Sequence, residues 1–405
     1  MKTVLMILDG VGDRPIQSFG GKTPLEAAKK PVLDELAAQG VCGLLDPVGV
    51  GVRPGSEVGH LSIFGYDPCV YYPGRGPLEA VGAGIILSPK DVAMRANFGT
   101  VDESLNILDR RAGRIESSKP FTELLDGMVI DGVKFIVKAG VAHRAVVVMH
   151  GHNLSHRISE GDPHVVNEKV RDVVALEKNR EAEFTARVVN KFLAKAHSLL
   201  KTHVLNKERA KKNLPQANYV LVRGPGQLPD VPSFQYKYGF DAACIAGGGV
   251  YKGIARLVGM NVLPVPGATA TPDTDLHSKF KTALGALDSH DFVFLHIKAT
   301  DLYGEDGNPE GKKKFIEKID AAAKPLLKLK DALVVVTGDH STPCALKAHS
   351  GDPVPIMFSG VGVRPDDVQV FGERACMNGG VGRIRGLDVM PEVMNLLGKT
   401  KIYGG

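Results

Sequence analysis

Residues 2–8 read Lys2-Thr3-Val4-Leu5-Met6-Ile7-Leu8, an almost continuous apolar run that stops at Asp9-Gly10. Seven residues is strand length, and an apolar pattern without alternation marks a strand covered on both faces, as in a parallel sheet. An acid at the carboxyl end of such a strand stands where open α/β sheets place their chemistry. Taken alone, Asp9 is also a plain turn aspartate. The same texture recurs in Val41–Leu45, Asp241–Ala246 (DAACIA), Asp291–Ile297 (DFVFLHI), Ala332–Thr337 (ALVVVT) and Val354–Phe358 (VPIMF). Helical segments separate these runs. Thr23-Pro24-Leu25-Glu26 opens one with a capping residue and Pro at the first helical position, and Val32, Leu33 and Leu36 carry it to a Gly40 stop. Others are expected at Val250–Val258, Leu276–Leu287 and Lys312–Leu329. Buried strands alternating with helices give the fold class: α/β, a doubly wound, mainly parallel sheet.

From about Pro73 the texture changes. Pro and Gly are dense through Gly84, and Asp91–Phe98 alternates like a half-buried strand. Lys134–Lys138 and Arg144–Met149 read as hairpin strands with one face in solvent. Glu177–Leu205 reads as one long helical stretch, with Phe184, Val188, Phe192, Ala196 and Leu199 at helix spacing. This section is expected to be a smaller α+β domain, residues 75–235, inserted into a discontinuous sheet domain formed by residues 1–74 and 236–405.

Composition narrows the class. A chain of 405 residues suits one large domain or two ordinary ones. No apolar run is long enough to cross a bilayer, and Asp9 interrupts the first one too early for a signal peptide. Five cysteines, an odd number and never in a C-x-x-C pair, fit a reduced cytoplasm better than a disulfide framework. A net charge of +5 suits an anionic small molecule and is too weak to argue for nucleic acid. The Lys and Arg of the Glu177–Leu205 stretch read as a solvated helix face, without the interleaved aromatics that stack on bases.

Chemistry gathers at the strand ends. Lys2–Leu8 runs into Asp9. Asp291–Ile297 runs through Lys298-Ala299-Thr300 into Asp301, with Glu305 four residues on. Ala332–Thr337 runs through Gly338 into Asp339-His340, and Ala348-His349 precedes the Val354 strand. In a parallel sheet these ends share one edge. Aspartates, a glutamate and histidines are hard-to-borderline ligands suited to Mn²⁺, Zn²⁺ or Mg²⁺, and there are enough for two ions. A pair of ions about 3.5–4 Å apart is a recurrent device of phosphoryl transfer. Pro54-Gly55-Ser56-Glu57-Val58-Gly59-His60 adds a serine at a helix start, which is either an N-cap or a nucleophile whose phosphorylated form the helix end stabilises. Each residue alone is more often structural; the joint pattern favours the nucleophile.

Asp9-Gly10, Gly55–His60, Lys298–Asp301, Gly338-Asp339-His340 and Ala348-His349 resemble the cofactor-independent phosphoglycerate mutases of the alkaline phosphatase superfamily, most closely the archaeal-type branch. Val92–Phe98 and Asp109–Ile115 look like that branch too, so the resemblance spans nearly the whole chain. It implies interconversion of 3-phosphoglycerate and 2-phosphoglycerate in glycolysis, in the cytoplasm, through a phosphoserine on Ser56. It implies two divalent ions, Mn²⁺ before Mg²⁺, Zn²⁺ or Co²⁺, and no 2,3-bisphosphoglycerate. One ion is expected on Asp9, Ser56, Asp339 and His340. The other is expected on Asp301, His349 and the residue four after Asp301, a histidine in the family and Glu305 here. Arg95, Arg111 and Arg114 are expected to clamp the substrate, with Asp162 in a substrate-contacting loop. Asp109 is expected to be the acid or base at the glycerate hydroxyl, and Lys252 to stabilise charge on the phosphoryl group. His150-Gly151-His152-Asn153 with His156 lacks the spacing of a zinc motif and reads as a loop. Two alternatives stand: a phosphatase or phosphomutase of the same superfamily, and a non-catalytic phospho-ligand sensor suggested by Glu305.

Overall fold

β1 (Lys2–Leu8) lies inside an eight-stranded sheet, buried from Thr3 onward. β2 (Gly40–Asp46) follows. Next come β3 (Val92–Val101), β4 (Ile107–Asp109), β5 (Val129–Ile130), β6 (Val133–Ala139), β7 (Arg144–His150) and β8 (Tyr219–Gly226). The chain then forms β9 (Ala242–Ile245), β10 (Asn261–Val262), β11 (Phe292–Ile297), β12 (Ala332–Thr337), β13 (Val354–Gly360) and β14 (Gly382–Arg385). The computed structural model describes residues 2–360 and 362–402. The chain divides into two compact units, Met1–Tyr72 with Pro232–Gly405, and Pro73–Val231.

The first unit holds the large sheet, in the order β10-β9-β11-β1-β12-β13-β2-β14. All neighbours are parallel except β12/β13 and β13/β2. Helices cover both faces. On one, Val4, Met6 and Leu8 pack with Phe280, Phe315, Ile316 and Ile319; on the other, Phe294 meets Phe64 edge-on and Phe292 meets Phe234. Each such side chain removed from water contributes roughly 1.5–3 kcal/mol. The reversal of β13 matters for chemistry. Because β13 runs antiparallel, its amino end, not its carboxyl end, lies beside the carboxyl end of β12, and His349 arrives at the edge that carries Asp9, Asp301 and Asp339.

The helix expected from Thr23 to Gly40 is two helices. The capping box of Thr23 and Glu26 forms, but its helix ends at Ala27, and a second starts at Pro31. Pro31 lacks an N–H and clashes with the preceding turn, so it begins a helix rather than continuing one.

The second unit carries a six-stranded antiparallel sheet, β4-β3-β7-β6-β5 with β8 on the other side of β3. The single long helix expected there is Arg180–Thr202, with a separate helix from Val204 capped by His203. β3 and β7 are buried on both faces rather than one. One face packs on Val188, Phe192 and Ala196 of the long helix. The other packs on Ala80, Ile85 and Leu87, within and just after the Pro-Gly-rich stretch, a covering that the local pattern of the strands did not signal.

Candidate active site

Ser56 is the first residue of a helix, Ser56–Ile63, and Gly55 takes the N-cap position. The hydroxyl is therefore not engaged as a cap. It lies 3.1 Å from His340 Nε2, buried. The helix approaches so closely that a Cβ on Gly59 would stand 2.4 Å from the backbone oxygen of Asp339. Only glycine fits at that position.

Around His340 Nε2 the expected groups converge. Asp9 Oδ1 is 3.4 Å away and Asp339 Oδ2 is 3.3 Å away. Asp9, Asp339 and His340 form one cluster whose ligand atoms all lie within 4.8 Å of one another, and Asp301, His340 and His349 form a second. Hydrogen bonding decides to which cluster His340 belongs. The Thr342 hydroxyl donates to Asp301 Oδ1 at 2.6 Å, so the contact between Thr342 Oγ1 and His340 Nδ1 at 3.0 Å uses the imidazole proton. The bare lone pair is then on Nε2, toward Asp9, Asp339 and Ser56. His349 follows the same rule. Its Nδ1 meets the Pro54 carbonyl at 2.9 Å and must donate, leaving Nε2 free 3.5 Å from Asp301 Oδ1. A ligating imidazole ordinarily has its other nitrogen held in this way.

Glu305 stands at the rim. Its Oε1 is 4.0 Å from His349 Nε2, with half of the side chain exposed. Burial and then the charge of Asp301 push its carboxyl above the usual range.

The two carboxylates nearest His340 differ. Burial raises both. At Asp9 the charge of Lys298, the hydrogen bond from His296 and the neighbouring imidazoles overcome it and hold the group well below the ordinary carboxylate range. Asp339 faces the charge of Asp9 and stays well above. Gly10 N–H donates to Asp339 Oδ1 at 3.0 Å, whereas the buried Oδ2 has no hydrogen-bond partner among the described residues. A buried carboxylate oxygen without a donor, beside a bare imidazole nitrogen, a second carboxylate and a hydroxyl, is a donor set that fits a divalent cation.

Some participants carried no separate signal in the sequence. Lys298 Nζ bridges Asp9 Oδ1 at 3.1 Å and Asp301 Oδ2 at 2.5 Å; the Lys298–Asp301 stretch contained it without giving it a role. His296 Nε2 donates to Asp9 Oδ2 at 2.9 Å from inside an apolar run. His60, one helical turn after Ser56, donates from Nδ1 to the Ser56 carbonyl at 2.7 Å. Lys252 sits half-buried in the helix Gly249–Leu257, next to Tyr251, whose ring stacks on His296 at 3.5 Å.

In the second unit, Asp109, Arg110, Arg111, His164, Val165 and Val166 line a cavity of about 440 Å³. Asp109 accepts from the backbone N–H groups of Arg111 and Gly113 at 2.6 and 3.0 Å, which shapes the turn presenting Arg111. Asp162 is buried and held by Arg110 at 2.6 and 3.1 Å. Arg95 is partly buried against Glu79 at 3.2 Å, and that burial lowers its guanidinium to about 10. Arg114 is exposed, at φ +54°. His150 pairs with Asp91 and His156 with Gln227. Among the described residues no metal-holding group forms there.

Comparison with known proteins points one way. The family model described as 2,3-bisphosphoglycerate-independent phosphoglycerate mutase matches residues 37–206. A curated protein of that name from Methanococcus maripaludis is 45% identical over 407 residues, covering 100% of both chains. One from Archaeoglobus fulgidus is 46% identical over 411 residues, again with 100% of both covered. The solved structure of a cofactor-independent phosphoglycerate mutase from Thermoplasma acidophilum matches with a TM-score of 0.76 and 38% identity, over 98% of this chain and 100% of that one.

Proposed function

We propose, for a chain that belongs to the 2,3-bisphosphoglycerate-independent phosphoglycerate mutase family, that Ser56 ferries the phosphoryl group between the two hydroxyls of glycerate. The enzyme is an isomerase that interconverts 3-phosphoglycerate and 2-phosphoglycerate without 2,3-bisphosphoglycerate. The observation that carries the serine's role is the convergence of Ser56 Oγ, Asp9 Oδ1 and Asp339 Oδ2 on His340 Nε2, each within 3.4 Å of it.

The reaction runs in two matched halves. A Ser56 O–P bond forms as the substrate C–O–P bond breaks, and the serine proton ends on the glycerate alkoxide. The second half reverses this at the other hydroxyl, which gives up its proton to Ser56. The start of the Ser56–Ile63 helix directs free N–H groups toward the phosphoserine. Lys298, between Asp9 and Asp301, is a cation at the reacting edge, and Lys252 is a second candidate for stabilising phosphoryl charge.

Asp9, Ser56, Asp339 and His340 are the residues we assign to one divalent ion, and Asp301, His349 and Glu305 to the other. When bound, such ions lower the pKa of a coordinated hydroxyl and neutralise phosphoryl oxygens. With a carboxylate where the family has an imidazole, the second set favours oxygen-seeking ions, Mn²⁺ or Mg²⁺ ahead of Zn²⁺. Arg111 is our substrate-binding cation, because it lines a cavity and, unlike Arg110, is paired with no acid among the described residues.

A coupled mutase assay tests the reading, run over several divalent metals with and without 2,3-bisphosphoglycerate. Turnover that needs metal and ignores 2,3-bisphosphoglycerate is expected. Release of free phosphate without isomerisation would establish the phosphatase alternative instead.

A further inference from the structure

We infer that His296 is a positioning residue for Asp9, tethering one carboxylate oxygen so that the other faces His340. The inference rests on the assignment of Asp9 as a metal ligand. His296 belongs to β11, whose parallel register places it opposite Ile7, two residues before Asp9. It is fully buried, so it is out of reach of substrate. A carboxylate carries no proton to give, so the 2.9 Å contact is a hydrogen bond from Nε2–H of His296 to Asp9 Oδ2. The other ring nitrogen, Nδ1, has no hydrogen-bond partner among the described residues, as expected of a neutral imidazole with its proton on Nε2.

The ring is held on several sides. Tyr251 stacks on it at 3.5 Å and 22°. His60 lies 5.1 Å away and Phe294 5.9 Å away, both tilted. The buried Lys279 ammonium binds the His296 carbonyl at 3.1 Å, which fixes the backbone beneath the ring. The two oxygens of Asp9 are thereby distinguished. Oδ2 belongs to His296, while Oδ1 lies 3.4 Å from the bare nitrogen of His340 and 3.1 Å from Lys298. Without the tether, Oδ2 loses its imidazole donor, and the Asp9 carboxylate, then held on that side by its hydrogen bond with the Tyr251 side chain alone, can turn to offer both oxygens to the Lys298 ammonium. The lysine, which in the tethered state touches Oδ1 alone, would then hold both oxygens against the cation. Oδ1 is accordingly the metal-facing oxygen, and the tyrosine–histidine stack is the support that keeps it so.

The test measures binding of Mn²⁺ alone to the full-length metal-free protein, by titration calorimetry and by metal content after dialysis. His296→Leu is expected to weaken one of two equivalents by about 10–100-fold, the usual effect of losing a group that orients a ligand, and to leave the other unchanged. His296→Gln, whose amide N–H reaches Asp9, is expected to stay close to the parent. His296→Asn, which is too short, is expected to follow Leu and substitutes for it if the Leu variant does not fold. Parental binding in the Leu or Asn variant overturns the tether, and so does a Gln variant as weak as the Leu one. Asp9→Asn separates the two assignments. If it retains both equivalents, Asp9 is not a ligand; if it loses one while His296→Leu keeps both, only the tether fails.

Discussion

Lys312 Nζ lies 2.9 Å from Asp13 Oδ2, and neither side chain has any exposed surface. The ammonium also donates to the carbonyls of Gly12 at 3.1 Å and Thr342 at 3.0 Å, and Asp13 accepts from Cys344 N–H. The pair therefore joins the loop after Asp9 to the loop after His340. Lys312→Met is expected to destabilise the protein by about 3–5 kcal/mol, because it leaves a buried carboxylate without its cation. Chemical denaturation of the metal-free protein checks this. Adding Asp13→Asn is expected to restore part of the loss; an unmoved denaturation midpoint in the single variant would contradict the pairing.

Ser56→Ala is expected to abolish mutase turnover while destabilising the protein by only about 0.5–1.5 kcal/mol. The hydroxyl caps no helix, and among the described residues its hydrogen bond is to His340, so its removal costs the fold that one bond. The coupled assay and a melting curve on the same sample are enough. Near-parental turnover would remove Ser56 from the mechanism.

Glu305→His is expected to remain active with its metal preference moved from Mg²⁺ and Mn²⁺ toward Zn²⁺ and Co²⁺, since imidazole suits the later metals. The relevant readout is the ratio of activities across the four ions. If the variant loses all metal binding, position 305 and its neighbours have been misassigned.

Arg111→Ala is expected to raise KM by about 10–100-fold, the effect of losing a charged hydrogen bond worth about 1.5–3 kcal/mol. Arg111→Lys should recover only part, because an ammonium does not reproduce a bidentate fork. An unchanged KM would make the cavity beside His164 irrelevant to substrate.

Glu373 supplies a pH test. Burial first, then neighbouring Glu26, push its carboxyl up to about 7, against stabilising contacts from the Thr23 hydroxyl and Asp13 N–H. A folded-state value above the unfolded one means that folding favours the protonated form. This contribution is complete below about pH 4.5 and disappears as pH rises through about 7. Stability is therefore expected to fall across that window, and Glu373→Gln, which preserves shape, is expected to flatten the fall. Identical pH profiles for parent and variant would refute the assignment.

The central strands of the large sheet, β1, β9, β11, β12 and β13, were readable in the sequence because each is buried on both faces, and such a strand in a parallel core writes itself as a solid apolar run. Their terminal acids stood out against those runs, which is how Asp9, Asp301 and Asp339 could be singled out. His296 was hidden by the same rule, since one histidine within DFVFLHI reads as core. The direction of β13 was also illegible. An apolar run reads the same in either direction, and only pairing with β2 and β12 orients it. Which nitrogen of His340 faces the cluster depends on Thr342, two residues away in sequence but related through Asp301, forty-one residues distant. Local pattern does not carry that information.

The placement of β1 between β11 and β12 has a consequence for synthesis. The ribosome makes this central strand early and both of its neighbours late, with β11 beginning at Phe292 and β12 at Ala332. β2 waits in the same way for β13 and β14. Meanwhile every strand of Pro73–Val231 finds its partners inside that unit, which can close while the large sheet is still missing its middle. At translation rates of about 5–20 residues per second, KTVLMIL stays without a backbone partner for on the order of 15–60 s. It is apolar, uncharged after Lys2 and free of proline, the kind of segment that seeks edges on other chains. The demand this protein places on chaperones is thus set less by its final stability than by the order in which its strands leave the ribosome.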